Sequence, residues 1–266
     1  MLILGSGNNI IMVKKISKYL NRYGAKITIL TVFLTALYTL FEHFNYNYLL
    51  ISLIAGWIMY GLSMIVNHRY MSHSVFEAKN KFVLYLMYSW VVLFGSGSPL
   101  SWAYSHRLHH IYTDVPPDPQ SPKTVGYIKT FFAWPSNSTK FKSKFVRDLI
   151  QNKEVMFVHT YYYTFFFSYL ILLMIFSPIL FGYVCLSISF SYSLLGILNT
   201  WAHSGNSIKS IPLPILLFGE ENHAYHHTSV AASRVVNTSQ WDLQGVIIKN
   251  FLAKSDSLSY RKAKLK

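Results

Sequence analysis

The chain has 266 residues, 52% hydrophobic and 17% aromatic but only 13% charged, with a mean hydropathy of +0.28. That balance favours one membrane domain over a soluble globule, and the single cysteine, Cys185, rules out a disulfide framework and a cysteine-based metal site. The formal net charge of +14 would suit nucleic acid, yet no nucleic-acid-binding motif accompanies it and the charges are placed as they would be around a membrane.

Taken in chain order, Met1 to Ile11 is too short and weakly apolar for a signal peptide and reads as a tail. All 24 Lys and Arg then fall in three stretches, Lys14 to Lys26, Arg69 to Lys153 and Lys209 to Lys266. Between them, residues 27–68 carry only Glu42, and residues 155–208 carry no Asp, Glu, Lys or Arg. Each gap holds two helices of about 20 residues, the length that crosses a hydrocarbon core of about 30 Å. The expected spans are residues 27–45, 47–67, 155–176 and 180–202, paired as two hairpins, with Ser177-Pro178 as the break inside the second.

The positive-inside rule places 1–26, 68–154 and 203–266, and so both termini, in the cytoplasm. A fifth apolar run, Phe82 to Tyr104, is interrupted by Gly95-Ser96-Gly97-Ser98-Pro99 and flanked by Lys79, Lys81 and Arg107, so it is read as an interfacial or dipping helix. The predicted fold is all-α and integral to the membrane: one domain over 1–266, four transmembrane helices and a cytosolic helical cap. The basic excess is expected to attract anionic lipid headgroups or an acidic electron donor.

Eleven histidines are present, and eight stand in three groups at the cytoplasmic ends of these segments: His68 and His73; His106, His109 and His110; His223, His226 and His227. A ninth, His203, follows the last span, four residues after Asn199. Residues three and four apart share a helix face, so two of the groups can each aim their imidazoles at one point. His68 and His73 are five apart, about 140° around an ideal α-helix, and need a bent or ending helix to serve one centre. Imidazole suits iron, copper, zinc and nickel, and nine imidazoles exceed one ion's need. Two adjacent metals are the simplest fit, with redox-active iron preferred in a lipid-embedded site and zinc as runner-up. Asn199 either completes a site through water or satisfies a backbone group. His43 and His159, outside the groups, are read as ordinary core or surface residues.

These residues resemble the membrane fatty acid desaturases, of the stearoyl-CoA and bacterial delta-9 type. The resemblance rests on His68-Arg69 to His73, on His106-Arg107 to His110 followed by Asp114 and Asp118-Pro119, on Asn199 with His203, and on Gly219-Glu220 to His227. It implies two irons held by the nine histidines, with a water on Asn199, and an acyl chain in a kinked tunnel. It further implies that dioxygen and two electrons remove two hydrogens from the chain, giving a cis double bond, delta-9 by type, and water. A bacterial inner membrane is favoured over the endoplasmic reticulum. The animal acyl-CoA enzymes carry an Arg-Asp pair where this chain has Tyr104-Ser105, which leaves acyl-CoA, phospholipid and acyl carrier protein all open as acyl carriers. No cytochrome b5-like segment is present, so a separate cytochrome b5 or ferredoxin-type donor is expected. A lipid hydroxylase or acetylenase of the same superfamily is the enzymatic alternative. A histidine-lined metal transporter is the non-enzymatic one, although its ligands should lie near the bilayer midplane.

His203 separates these readings. As a mere helix end, its replacement by alanine should change stability by less than about 1 kcal/mol; as a ligand, its loss should lower metal content and abolish desaturation while the protein still inserts. Asn199→Ala should be milder, acting through water, and His43→Ala should be silent. Normal metal content and product formation in His203→Ala would reduce the ligand set to eight histidines.

Overall fold

The computed structural model describes residues 7–132, 141–201, 215–220, 226–227, 242–255 and 257. The described residues form helices joined by turns, with one isolated antiparallel bridge, Ala78–Ala253. Four helical stretches, Lys15–Glu42, Tyr46–Ser72, Lys153–Phe176 and Pro178–Trp201, are long and apolar enough to cross a membrane.

Helix α1 (Gly7–Glu42) starts well before the apolar run at Ile27. Nothing between Lys14 and Lys26 stops it, because lysine and arginine are good helix formers. This early part also has a partner: Ser17 Oγ lies 2.8 Å from Thr164 Oγ1, and the Asn21 side chain donates to the Thr160 carbonyl at 3.1 Å. Helix α2 (Tyr46–Ser63) is capped by Asn45, whose side chain accepts from the N–H groups of Asn47 and Tyr48. It continues without a break into a π-helical segment, Met64–Ser72.

The run Phe82 to Tyr104 is not one continuous helix. It splits into α3 (Lys81–Leu93), capped by the Asn80 side chain, and α4 (Pro99–Tyr112), which has proline in its first turn. Gly95 and Gly97 turn the chain between them at φ 66° and 94°, a region L side chains avoid. Short helices follow, α5 (Pro122–Val125), α6 (Tyr127–Phe131) and α7 (Arg147–Ile150). The two remaining spans are α8 (Lys153–Phe176), capped by Asn152, and α9 (Pro178–Trp201). Ser177 adopts the extended backbone that a following proline imposes, and its hydroxyl accepts the Leu180 N–H. A last helix, α10 (Leu243–Ile247), carries on into a π-helical turn, Ile248–Leu252.

The α3–α4 hairpin dips between the spans. Tyr85, early in α3, donates to Glu154 at the start of α8 (3.3 Å), and Tyr162, two turns further along α8, reaches the Val91 carbonyl and accepts the Gly97 N–H at 2.8 Å. Tyr192 of α9 donates to the Gly95 carbonyl at 2.7 Å, and Asn67 reaches Ser96 Oγ at 3.0 Å. The tip of the hairpin is thereby fixed to α8, α9 and the π-helical segment, and α4 climbs from it beside that segment.

Helices α1, α2 and α9 approach closely through small residues, the usual way to bring helix backbones together in lipid. A Cβ on Gly56 would meet the Ser187 carbonyl oxygen, and one on Gly182 would meet Thr39. Ser52 donates to the Tyr183 carbonyl across the same seam at 3.1 Å. Leu30, Leu34, Phe41, Leu50 and Ile54 face outward from these helices. Gly56→Ala should therefore lower unfolding stability in detergent by about 1–3 kcal/mol, the usual cost of overpacking, whereas Leu50→Ala should leave it nearly unchanged. Equal effects of the two substitutions would show that the α2–α9 seam is not closely packed.

Candidate metal centre

His68 lies in the π-helical segment and His73 caps its end. There the backbone bonds i to i+5, and the His73 N–H donates to the His68 carbonyl at 3.2 Å. Five-residue spacing, unfavourable on an α-helix, thus becomes one face, and no bend is needed. Helix α4 supplies His106, His109 and His110, three and four residues apart as the sequence suggests.

The Nε2 atoms of His68, His73, His106, His110 and His226 all lie within 4.8 Å of one another. Individual separations are 2.7 Å for His68–His226, 2.9 Å for His73–His106 and for His106–His110, and 3.1 Å for His73–His226. Beside this group a second pair, His109 and His227, brings Nε2 atoms to 3.1 Å, and the His227 ring stacks on His110 with centroids 4.3 Å apart. Asn199 is half-buried near the end of α9. His203 and His223 lie outside the described residues.

The other ring nitrogens explain why these Nε2 atoms carry lone pairs. His68 Nδ1 donates to Glu220 (3.3 Å), His109 Nδ1 to Asp118 (2.8 Å) and His106 Nδ1 to Gln120 Oε1 (3.2 Å), while His227 Nδ1 stands 3.4 Å from Thr113 Oγ1. An acceptor at Nδ1 assigns the proton there and leaves Nε2 as a donor atom, the arrangement metal-binding histidines use. Burial, reinforced by His68 and His110, holds His73 and His106 well below the usual histidine value, so both are neutral at pH 7. Neutral imidazole lone pairs about 3 Å apart repel unless a cation lies between them. Two nitrogens bound at right angles, each about 2.1 Å from one ion, stand about 3 Å apart, so the donor set fits a metal.

Two of these partners, Asp118 and Glu220, are themselves buried charges. Burial opposes the ionisation of Asp118, but His109 and the N–H groups of Gln120 and Asp114 outweigh it and keep its carboxyl below the usual range. Burial likewise opposes Glu220, and His68 and Arg69 overcome it. Arg69, 1% exposed, stands 3.5 Å from Glu220 and makes two parallel 3.1 Å bonds to the Asp242 carboxylate. Asp242 also caps α10 by accepting the Gly245 N–H at 2.9 Å. Arg107 grips the other side, donating to the Met71 and Ser72 carbonyls at the end of the π-helical segment and pairing with Asp148 at 2.6 Å.

Sequence reasoning quoted Arg69, Arg107, Asp118 and Glu220 inside motifs without giving them these tasks, and it passed over Gln120 and Asp242. A usable cue was the scarcity of acid: the chain has ten Asp and Glu, and among the described ones Asp118, Glu220 and Asp242 are buried and all three serve this site. Outside the groups, His159 accepts or donates at Ser98 Oγ and takes no part in the cluster.

Below the cluster, toward the spans, a narrow cavity is walled by Tyr60 of α2, Met64 of the π-helical segment, Phe94 and Ser96 of the hairpin tip, Trp102 of α4, and Tyr192 and Leu195 of α9. Trp102 stacks on His106 with centroids 4.9 Å apart, so one wall of the cavity is also the neighbour of an imidazole.

A sequence profile described as fatty acid desaturase matches residues 44–244, a range holding Asn199 and all nine clustered histidines. The chain is 26% identical over 125 residues to sn-1 stearoyl-lipid 9-desaturase of Anabaena variabilis, covering 46% of this chain and 45% of that protein. It is 35% identical over 85 residues to Delta-9 acyl-lipid desaturase 2 of Arabidopsis thaliana, covering 32% and 27%. The matched stretches thus span less than half of either relative.

Asp242→Ala would remove the forked partner of the buried Arg69 guanidinium, and breaking a buried ion pair typically costs about 3–5 kcal/mol. Denaturant unfolding in detergent should show that loss, and adding Arg69→Met should restore part of it. A loss below about 1 kcal/mol would mean that water reaches Arg69.

Proposed function

The chain belongs to the fatty acid desaturase family, and on that premise we propose that it desaturates lipid-bound acyl chains at two irons held by the clustered histidines. The observation that carries this reading is the convergence of five imidazoles, with the His109–His227 pair beside them, next to an apolar cavity between the spans. Five of these imidazoles serve one ion. His109 and His227 would hold the other, and His203, His223 and Asn199 complete the expected ligand set.

The irons supply the redox chemistry: one dioxygen, two electrons and two protons, with two hydrogens of the chain, give two waters and a cis double bond. The protein's own residues do the rest. Met64, Phe94, Trp102 and Leu195 would line the path of a methylene chain toward the imidazoles and keep bulk water out, so that reach and orientation decide which carbons react. The names of the two relatives support position nine and a lipid-bound rather than CoA-bound substrate. Tyr104 agrees with this: it accepts the Lys142 N–H at 3.1 Å and packs on Phe141, a packing role in the place where the acyl-CoA enzymes carry a charged pair. Both termini and residues 68–154 face the cytoplasm, where the basic surface meets a separate cytochrome b5 or ferredoxin-type donor.

Expression in a host lacking its own desaturase should yield new monounsaturated lipids by mass spectrometry, and the purified protein should contain close to two irons per chain. His106→Ala should abolish product and lower iron content while membrane insertion persists. Hydroxylated lipids, or tightly bound zinc in an active preparation, would overturn the proposal.

A further inference from the structure

On the far side of the segment that carries His68 and His73 lies a second concavity, a cleft of about 560 Å³ that the desaturase reading does not use. Volumes of this size hold small-molecule ligands. Its floor is apolar, made by Met71, Phe76, Leu84, Leu149 and Val155. Its rim carries Lys79, Lys81 and Lys254, all exposed. Lys254 is brought there by the short antiparallel pairing of the two chain segments: the Lys79 N–H donates to the Leu252 carbonyl at 2.7 Å, and the Lys254 N–H to the Glu77 carbonyl at 2.9 Å. Glu77 offsets one of the three positive charges at the rim, and Asp148 is already paired with Arg107.

Two further observations say what the cleft takes. Tyr88 stands in its wall, 5% exposed, and its hydroxyl has no hydrogen-bond partner among the described residues. A buried donor without a partner is costly and calls for an acceptor. The cleft also stands at the edge of the apolar band. Asn152 and Val155, at the start of the spanning helix α8, line it, while Phe82 and Phe157 next to it are 74% and 56% exposed. That is the depth at which lipid headgroups sit and at which lysines meet anionic lipid.

We propose that this cleft binds one anionic phospholipid, its phosphate between Lys79, Lys81 and Lys254 and its glycerol and first methylenes on the apolar floor, with the Tyr88 hydroxyl donating to a headgroup or ester oxygen. The lipid is a resident of the fold and not the substrate, because the cleft and the cavity under the imidazoles share no lining residue. It braces the wall formed by Met71 and Ser74, on either side of the segment end that bears His73. The site is independent of the reaction proposed above.

The test is native mass spectrometry of the full chain in detergent, titrated with phosphatidylglycerol or with phosphatidylcholine bearing the same tails. One phosphatidylglycerol should be retained in preference to phosphatidylcholine. A lysine at a lipid surface is worth about a fivefold change in affinity, so Lys79→Gln, Lys81→Gln and Lys254→Gln together should weaken retention by about a hundredfold. Tyr88→Phe, which keeps the packing, should weaken it severalfold. Lys129→Gln, Lys142→Gln and Lys249→Gln together, exposed lysines away from the cleft, are the control and should change it little. Equal retention of the two lipids, an equal loss in the control variant, or displacement of the lipid by millimolar inorganic phosphate alone would each overturn the proposal. Retention at the wild-type level in the cleft triple variant would do the same, and a thermal midpoint near wild type in Tyr88→Phe ensures that its loss reports binding.

Discussion

Neutral imidazoles do not gather by themselves. Several nitrogen lone pairs held about 3 Å apart in a buried space repel, so the cluster depends on rings that are held from behind. The Nδ1 contacts to Glu220, Asp118, Gln120 and Thr113 do that holding. Those contacts in turn require buried carboxylates, and buried carboxylates require Arg69, Asp242 and the backbone N–H groups after Asp114 and Asp118. Much of the chain outside the spans is organised by this requirement, because the acceptors come from segments far apart in sequence.

The two arginines that follow the first histidine of their motifs act in different ways. Arg69 points inward and neutralises the acids behind His68, tying the start of α10 to the π-helical segment through Asp242. Arg107 points outward and closes the C-terminal carbonyls of that same segment, which a helix end leaves unsatisfied. One arginine sets the electrostatics behind the cluster and the other sets the position of the strand of chain that carries His73. Neither could be exchanged for lysine without losing a forked set of bonds.

The spans serve the cluster by position. Glycines at the α2–α9 and α1–α9 seams bring the backbones close, and the tip of the α3–α4 hairpin is locked between Tyr162 and Tyr192. The locked tip aims α4, and with it three histidines, at the end of α2. The cavity below the imidazoles is what remains between these elements once the tip is seated.

Much of this was legible in the chain itself. Charge-free runs reveal spans because charged side chains are expensive in hydrocarbon, and glycines with a proline betray the break in the run from Phe82 to Tyr104. Histidines three and four apart announce a shared face because α-helical geometry is periodic. Composition and spacing therefore sufficed for an all-α membrane fold with a histidine-rich centre. Other features needed the tertiary structure. Nothing in Met64–Ser72 distinguishes a π-helix from an α-helix, since both present similar side chains and the choice is made by what packs around them. The start of α1 at Gly7 depends on Ser17 and Asn21 finding Thr164 and Thr160. The pairing of His109 with Asp118, and of Arg69 with Asp242 173 residues away, is decided only when distant segments meet, because a single acidic residue looks the same in sequence whether it faces water or holds an imidazole in place.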